Sequence, residues 1–315
     1  QQVLRMLQYQ AYAQSYSDSL TYTDAELEAA YQADPKAYDK AAWEYVVVSG
    51  ATDSTTDADG NTVQATDEEQ AAAKEAAKAT AEEILAAYNS GKSLESIAGN
   101  YEKATYYNTT DATYYDGVVG NWLFDDARKD GDTEILEVGT NYYVGLFHSR
   151  GREEYKTVDI RHILITPETG TKAQGDEGYE DEQTQLKAAA RTKAEEILAQ
   201  WKSGEATEDS FAQLALENSA DGSKYDGGLY TRVTKGWAVE EFNDWCFDAS
   251  RKDGDTGIVD TTYGSHVMYF VGYDLPAWAA SVTSDLQEKA SSEWSTALSE
   301  NADVQQSDFG MKFVG

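Results

Sequence analysis

The chain has 315 residues, long enough for two domains, and 41% hydrophobic with 12% aromatic residues predict packed cores rather than disorder. Its 57 acidic residues against 25 basic ones leave a formal charge of -32, which repels phosphate and argues against nucleic acid as a partner or anionic lipid as a resting place. The single cysteine, Cys246, permits no intramolecular disulfide, and inside the run Trp245-Cys246-Phe247 it reads as a small buried hydrophobe. No run of 18 apolar residues is present to span a bilayer. Three histidines without a cysteine pair do not make a zinc set, so neither a metal nor another cofactor is expected. The chain opens on Gln1-Gln2 and shows no signal peptide, the pattern of a mature or trimmed form whose anchor, if any, lies upstream.

Residues 1–42 are predicted helical. Leu4, Leu7 and Ala11 recur at helical spacing beside a second stripe of Tyr9, Tyr12 and Tyr16. Thr23 and Glu26 have the spacing of a capping box, and Asp34-Pro35 stops the helix that follows. Trp43–Val48 is a β-branched and aromatic strand. An acidic, Gly- and Thr-rich stretch comes next; within it, Asp57–Asn61 hints at a calcium loop, but Thr66 stands where the twelfth-position Glu belongs, and a solvated turn is the preferred reading. Helices are predicted over Glu68–Tyr88 and Leu94–Ala98, then Tyr-rich strands and turns to Phe147.

The pattern then restarts. A strand over Thr157–Ile165 leads into an acidic insert, Glu168–Asp181, and a helix over Gln183–Trp201. The hexapeptide at Ala81–Ala86 returns at Ala194–Ala199, and Asn121–Thr133 returns as Asp244–Thr256 with nine of thirteen positions identical. These are the marks of an internal duplication of a domain-sized unit. The two matches differ in offset, which places about ten extra residues of the second copy around Asn218–Val239. After Pro276, Trp278, Val282, Leu286, Ala290, Trp294 and Leu298 form the apolar stripe of a last helix.

Six segments of the second copy, in order, carry a family resemblance. They are the strand Ile160–Ile165 with His162, Phe211–Ala215, the loop Asn218–Ser223 with Asp221, the turn Gly227-Gly228-Leu229-Tyr230, the segment Gly236–Phe242, and the strand Tyr263–Met268 with His266. Together they resemble parvulin-type peptidyl-prolyl cis/trans isomerases, although the turn lacks the family's acidic residue and has Tyr230 in place of a glycine. The resemblance implies a polar network of His162, Asp221 and His266, the two histidines sharing a hydrogen bond. It also implies a proline socket lined by Leu229, Phe242 and Met268, with Tyr263 and Trp237 as further substrate-binding positions. No covalent step is needed: rotation about X–Pro crosses a barrier of roughly 18–20 kcal/mol because the amide must give up its resonance, and a site that favours the twisted amide suffices.

The first copy lacks these groups. Tyr143 stands opposite His266, Val119 opposite Phe242, and the Tyr45–Val48 strand has no histidine. The expected fold is α+β: two tandem parvulin-like domains, each a small antiparallel sheet with packed helices, plus a helical unit from both termini. The expected domains are an N-terminal helical chaperone segment at 1–42, a degenerate parvulin-like domain without isomerase activity at 43–150 that serves as scaffold or binds peptide, the isomerase domain at 155–275, and a helix at 276–315 packing with the N-terminal segment. The terminal helices resemble the split chaperone domain of bacterial extracytoplasmic foldases, often lipoproteins. This implies unfolded or proline-containing polypeptide clients outside the cytoplasm. A holdase that grips unfolded chains with little turnover is the alternative. The sequence leaves the oligomeric state open.

Overall fold

A computed structural model describes residues 12–17, 19–52, 54–56 and 62–301. Leu4, Leu7, Tyr9, Ala11, Asp57–Asn61 and the tail beyond Asn301 lie outside the described residues. The chain divides after Glu153 into two units, the first formed by residues 20–153, the second by residues 154–301 with the described residues before 20. Both are α+β, each with a four-stranded antiparallel sheet and packed helices.

In the first unit, helix α1 (Asp24–Ala33) starts at the capping box read from the sequence: the Thr23 hydroxyl accepts from the Glu26 amide and the Glu26 carboxylate accepts from the Thr23 amide. The sheet comprises β1 (Lys40–Val48), β2 (Ala104–Ala112), β3 (Thr133–Val138) and β4 (Asn141–Gly151), in the order β2-β1-β4-β3. Strand alternation sorts the side chains. Val46, Val48, Val144 and Leu146 pack on α2 (Asp67–Asn89) and α3 (Leu94–Ala98), while Trp43 and Phe147 pack on the other face with α4 (Val118–Leu123). Arg150 ties this unit together: its guanidinium donates to the buried Asp39 carboxylate at 2.9 Å, to the Phe124 carbonyl and to Asp126.

The second unit repeats that topology. Strands β5 (Lys156–Ile165), β6 (Leu229–Val233), β7 (Thr256–Thr261) and β8 (Gly264–Pro276) lie in the order β6-β5-β8-β7. On one face Ile163, Ile165 and Val267 pack against α5 (Tyr179–Ser203) and α6 (Glu208–Asn218); Ala190 and Ala194 let α5 approach the sheet closely. On the other face Val158, Ile160, Met268 and Phe270 pack with α7 (Glu240–Cys246). Helix α5 starts at Tyr179, before the predicted Gln183, because Glu180, Asp181 and Glu182 supply an acidic first turn that suits the positive end of the helix dipole.

The sequence repeat also returns in local geometry. Gly131 N donates to Phe147 O and Phe147 N to Asp132 O; Gly254 N donates to Phe270 O and Phe270 N to Asp255 O. Arg128 lies 4.8 Å over the Trp122 ring and Arg251 lies 4.1 Å over that of Trp245. Helix α8 (Ala277–Asn301) buries Trp278 and Val282 at its start, and further along Trp294 stacks on Tyr16 at 5.0 Å. The N-terminal segment is divided: residues before 20 go with α8, while α1 and the chain to residue 42 belong to the first unit. Among the described residues, no helix is long and apolar enough to cross a membrane.

Candidate functional site

Antiparallel pairing puts His162 of β5 opposite Met268 of β8 and His266 opposite Leu164, so both imidazoles rise from the α7 face of the sheet on its two central strands. Their Nδ1 atoms are 3.0 Å apart and their rings stack at 18°. His266 Nε2 lies 2.9 Å from the Thr261 hydroxyl, which already accepts from the Tyr263 amide. His162 Nε2 lies 3.4 Å from the Asp221 carboxylate and 3.4 Å from the Ser223 hydroxyl.

Hydrogen-bond accounting gives this chain one direction. The Asp221 carboxylate can only accept, so His162 Nε2 carries the proton and His162 Nδ1 accepts from His266 Nδ1. His266 Nε2 then accepts from Thr261. Burial lowers the affinity of His162 for a proton, the Asp221 charge only partly opposing it, and burial together with His162 pulls His266 down to about 4. Both rings are therefore neutral near pH 7. Burial pushes the Asp221 carboxyl up, but the Ser223 hydroxyl and amide, the His162 charge and the Tyr230 hydroxyl more than offset it and hold the group at about 2. With His162 neutral, the Ser223 and Tyr230 bonds keep Asp221 ionised.

The network opens into a cavity of 550 Å³ lined by His162, Asp221, His266, Phe242, Trp237 and Tyr230, with Leu164, Ala238, Val239 and Tyr263 completing its wall. Phe242 is 4% exposed and sets its ring edge-on to both imidazoles, at 5.5 Å and 5.3 Å. Trp237 is 48% exposed and packs on Tyr230 at 4.7 Å, and Tyr263 is a 64% exposed rim residue. A smaller cavity of 290 Å³ beside Lys187, Arg191 and Asp260 has no such convergence of polar and aromatic groups. Among the described residues no three His, Cys, Asp or Glu side chains are grouped to hold a metal ion.

Two residues predicted to line the socket do not reach it. Met268 is wholly buried beneath Phe242 in the core. Leu229 pairs with Arg161 and so lies on the opposite face, while Tyr230, paired with Ile160, faces the cavity. The cause is an extra residue in β6: Val158 pairs with Val233 but Ile160 with Tyr230, and Arg232 takes a positive φ of 52° to fit. Sequence reading also passed over Thr261 and Ser223 as site residues. Thr261 lies five residues before His266, at the hairpin that β7 and β8 form, so pairing those two strands first would have found it. Cys246 is fully buried, its thiol pushed up to about 12 by burial, as expected of an inert core residue.

Residues 144–271 match the family model of the PPIC-type PPIase domain. The chain carries a parvulin domain. It is 29% identical over 142 residues to foldase protein PrsA 1 of Listeria innocua, a match covering 44% of this chain and 39% of that protein. The corresponding match to PrsA 1 of Listeria monocytogenes is 28% identical with the same coverage. Among solved structures, PrsA from Bacillus subtilis is similar at a TM-score of 0.32 and 22% identity, over 48% of this chain and 52% of that one. The chain spans about two fifths of the length of these curated relatives, 39% of each.

Proposed function

We propose that residues 155–275 catalyse cis/trans rotation of X–Pro bonds in unfolded polypeptide clients outside the cytoplasm. The observation that carries this reading is the neutral His162–His266 pair and the ionised Asp221 meeting at one aromatic-walled cavity. The proline ring sits against Phe242, Trp237 and Tyr230, with its imide over the polar network. In the planar amide, resonance places negative charge on the carbonyl oxygen; twisting removes it. A carboxylate beside that oxygen therefore disfavours the planar ground state more than the twisted transition state. The His pair positions this wall without competing for protons, and no bond to the enzyme forms.

The repeated topology and turn geometry of residues 43–150 support reading that segment as a second, degenerate parvulin-like domain without isomerase activity. Helix α8 and the N-terminal residues stacked on it serve as a chaperone segment, and an anchor upstream of this chain, as in foldase lipoproteins, would hold the protein at the cell envelope. The net charge of -32 fits polypeptide clients and disfavours nucleic acid.

The test is isomerisation of a short X–Pro peptide by the intact chain and by His162→Ala/His266→Ala. Acceleration lost in the double variant is expected. Equal activity in both sinks the site assignment. No acceleration by the intact chain, together with suppressed aggregation of an unfolded client, establishes the holdase instead.

A further inference from the structure

In the first unit, register alone locates the counterpart of the histidine pair. Tyr45 pairs with Gly145 and Val47 with Tyr143, as His162 pairs with Met268 and Leu164 with His266; Gly145 and Tyr143 precede Met268 and His266 by the same 123 residues that separate Gly131 from Gly254. Two tyrosines thus stand where the second unit has two histidines, and they stack alike, at 5.8 Å and 17°. Around them lies a near-parallel set of rings: Trp43 on Tyr45 at 4.0 Å and 14°, and Tyr45 on Tyr107 at 5.0 Å and 18°. Gly145 makes the base possible, since a Cβ there would already touch the Trp122 and Trp43 rings. Gly120 fixes the rim, since a Cβ there would overlap the Tyr115 carbonyl.

Three features make this face a binding surface rather than a core. Tyr107 is 45% and Tyr115 54% exposed. Among the described residues, the hydroxyls of Tyr45, Tyr107, Tyr115 and Tyr143 make no hydrogen bond, whereas those of Tyr101, Tyr106, Tyr114 and Tyr142 each do. Among the described residues, neither Tyr45 nor Tyr143 is hydrogen-bonded to an imidazole or a carboxylate, unlike the histidines of the second unit. Flat aromatic faces combined with free phenolic donors match one polypeptide chemistry above others. A polyproline II segment offers rigid apolar rings and outward carbonyls that find no partner within its own helix.

We propose that the Tyr45–Tyr107–Tyr143–Tyr115 face of residues 20–153 binds proline-containing, extended segments of unfolded chains without isomerising them. Its aromatic rings hold the prolines and its phenols donate to the segment's carbonyls. This inference stands independently of the isomerase reading, because it rests on a separate set of residues.

The test is calorimetric titration of the full chain with a neutral, blocked ten-residue polyproline peptide, against a blocked Gly-Ser peptide of equal length. Because the second unit's cavity also takes proline, each titration is repeated in Phe242→Ala. Tyr107→Ala/Tyr115→Ala should weaken binding in that background at least about fivefold, as expected for loss of aromatic anchors. Tyr45→Phe/Tyr143→Phe keeps the rings and removes the donors, and should weaken binding less, with unchanged far-ultraviolet circular dichroism. X–Pro peptide isomerisation should be unaffected by either pair. Undiminished binding in Tyr107→Ala/Tyr115→Ala, equal binding of the Gly-Ser peptide, or complete loss of binding in Phe242→Ala alone overturns the proposal. A change in sedimentation of the tyrosine variants without a change in peptide affinity also overturns it, and makes the face a contact between copies of the chain. If Phe242→Ala changes nothing while the tyrosine variants lose all binding, the proline socket of the second unit falls and this site stands.

Discussion

Asp221 is held ionised by neighbours that can be removed singly. Tyr230→Phe deletes one donor to its carboxylate, so the Asp221 titration followed by carboxyl NMR should move up from about 2 while the fold is kept. Asp221→Asn removes the charge, and kcat/KM for an X–Pro peptide should fall by about tenfold or more, about 1.4 kcal/mol of barrier. The histidines set the acid limit. Each is held below its ordinary 6.5 in the folded chain, so unfolding takes up protons between pH 6.5 and about 4, and stability falls as the pH drops through that window. Asp221, ordinarily at 3.8 and held at about 2, adds a further loss as the pH falls from 3.8 to about 2. Isomerase activity should accordingly be flat above about pH 6 and decline toward pH 4 as His266 takes a proton. A profile that rises on acidification would contradict the neutral-pair assignment. Sequence reading reached His162, Asp221, His266 and Phe242 because their motifs are local; it could not reach Tyr230 by the same means, because which face Tyr230 takes depends on a bulge.

Among the elements, the Gly227–Gly228 turn and β6 decide the shape of the cavity. Gly228 has a φ of 77°, its carbonyl accepts from the His162 amide, and a Cβ at this position would press on the His162 carbonyl oxygen. Gly228→Ala should therefore cost more than 1 kcal/mol in stability and displace His162, losing activity in proportion, whereas alanine at the open, exposed Gly222 should not. Denaturant midpoints and peptide turnover measured together would check both. The helices were easier to read. The capping box at Thr23 and the hexapeptide shared by α2 and α5 are local signals, and the first gives a true helix start; the box at Thr66, which starts α2 at Asp67, went unread. The start of α5 was misplaced because its N-cap, Gly178, makes no side-chain bond and its acidic first turn, Glu180–Glu182, runs on from the acidic stretch before it.

For the whole chain, two units with separate cores predict unfolding in more than one step. Asp39→Ala leaves the Arg150 guanidinium without its buried partner and should destabilise residues 20–153 by roughly 3–5 kcal/mol. In scanning calorimetry one transition should move while the other, and isomerase activity, stay in place. A single transition that shifts as a whole would show that the units unfold together. The charge of -32 makes a second prediction: raising salt from about 0.01 to 0.15 M shortens the screening length from roughly 30 to 8 Å, relieves self-repulsion and should raise both transition temperatures.

By itself the sequence determined the repeated segments, the order of helices and strands, the parvulin motifs of the second half and the candidacy of His162, Asp221 and His266, since each depends on residues close in the chain. Tertiary structure alone decided which side chains share a face. Cross-strand register put Tyr45 in the place of His162, took Leu229 out of the cavity and brought Tyr230 in, and burial left Met268 beneath Phe242 rather than in the wall. A one-residue slip in a strand turns every side chain to the other side of the sheet, and no local motif records it.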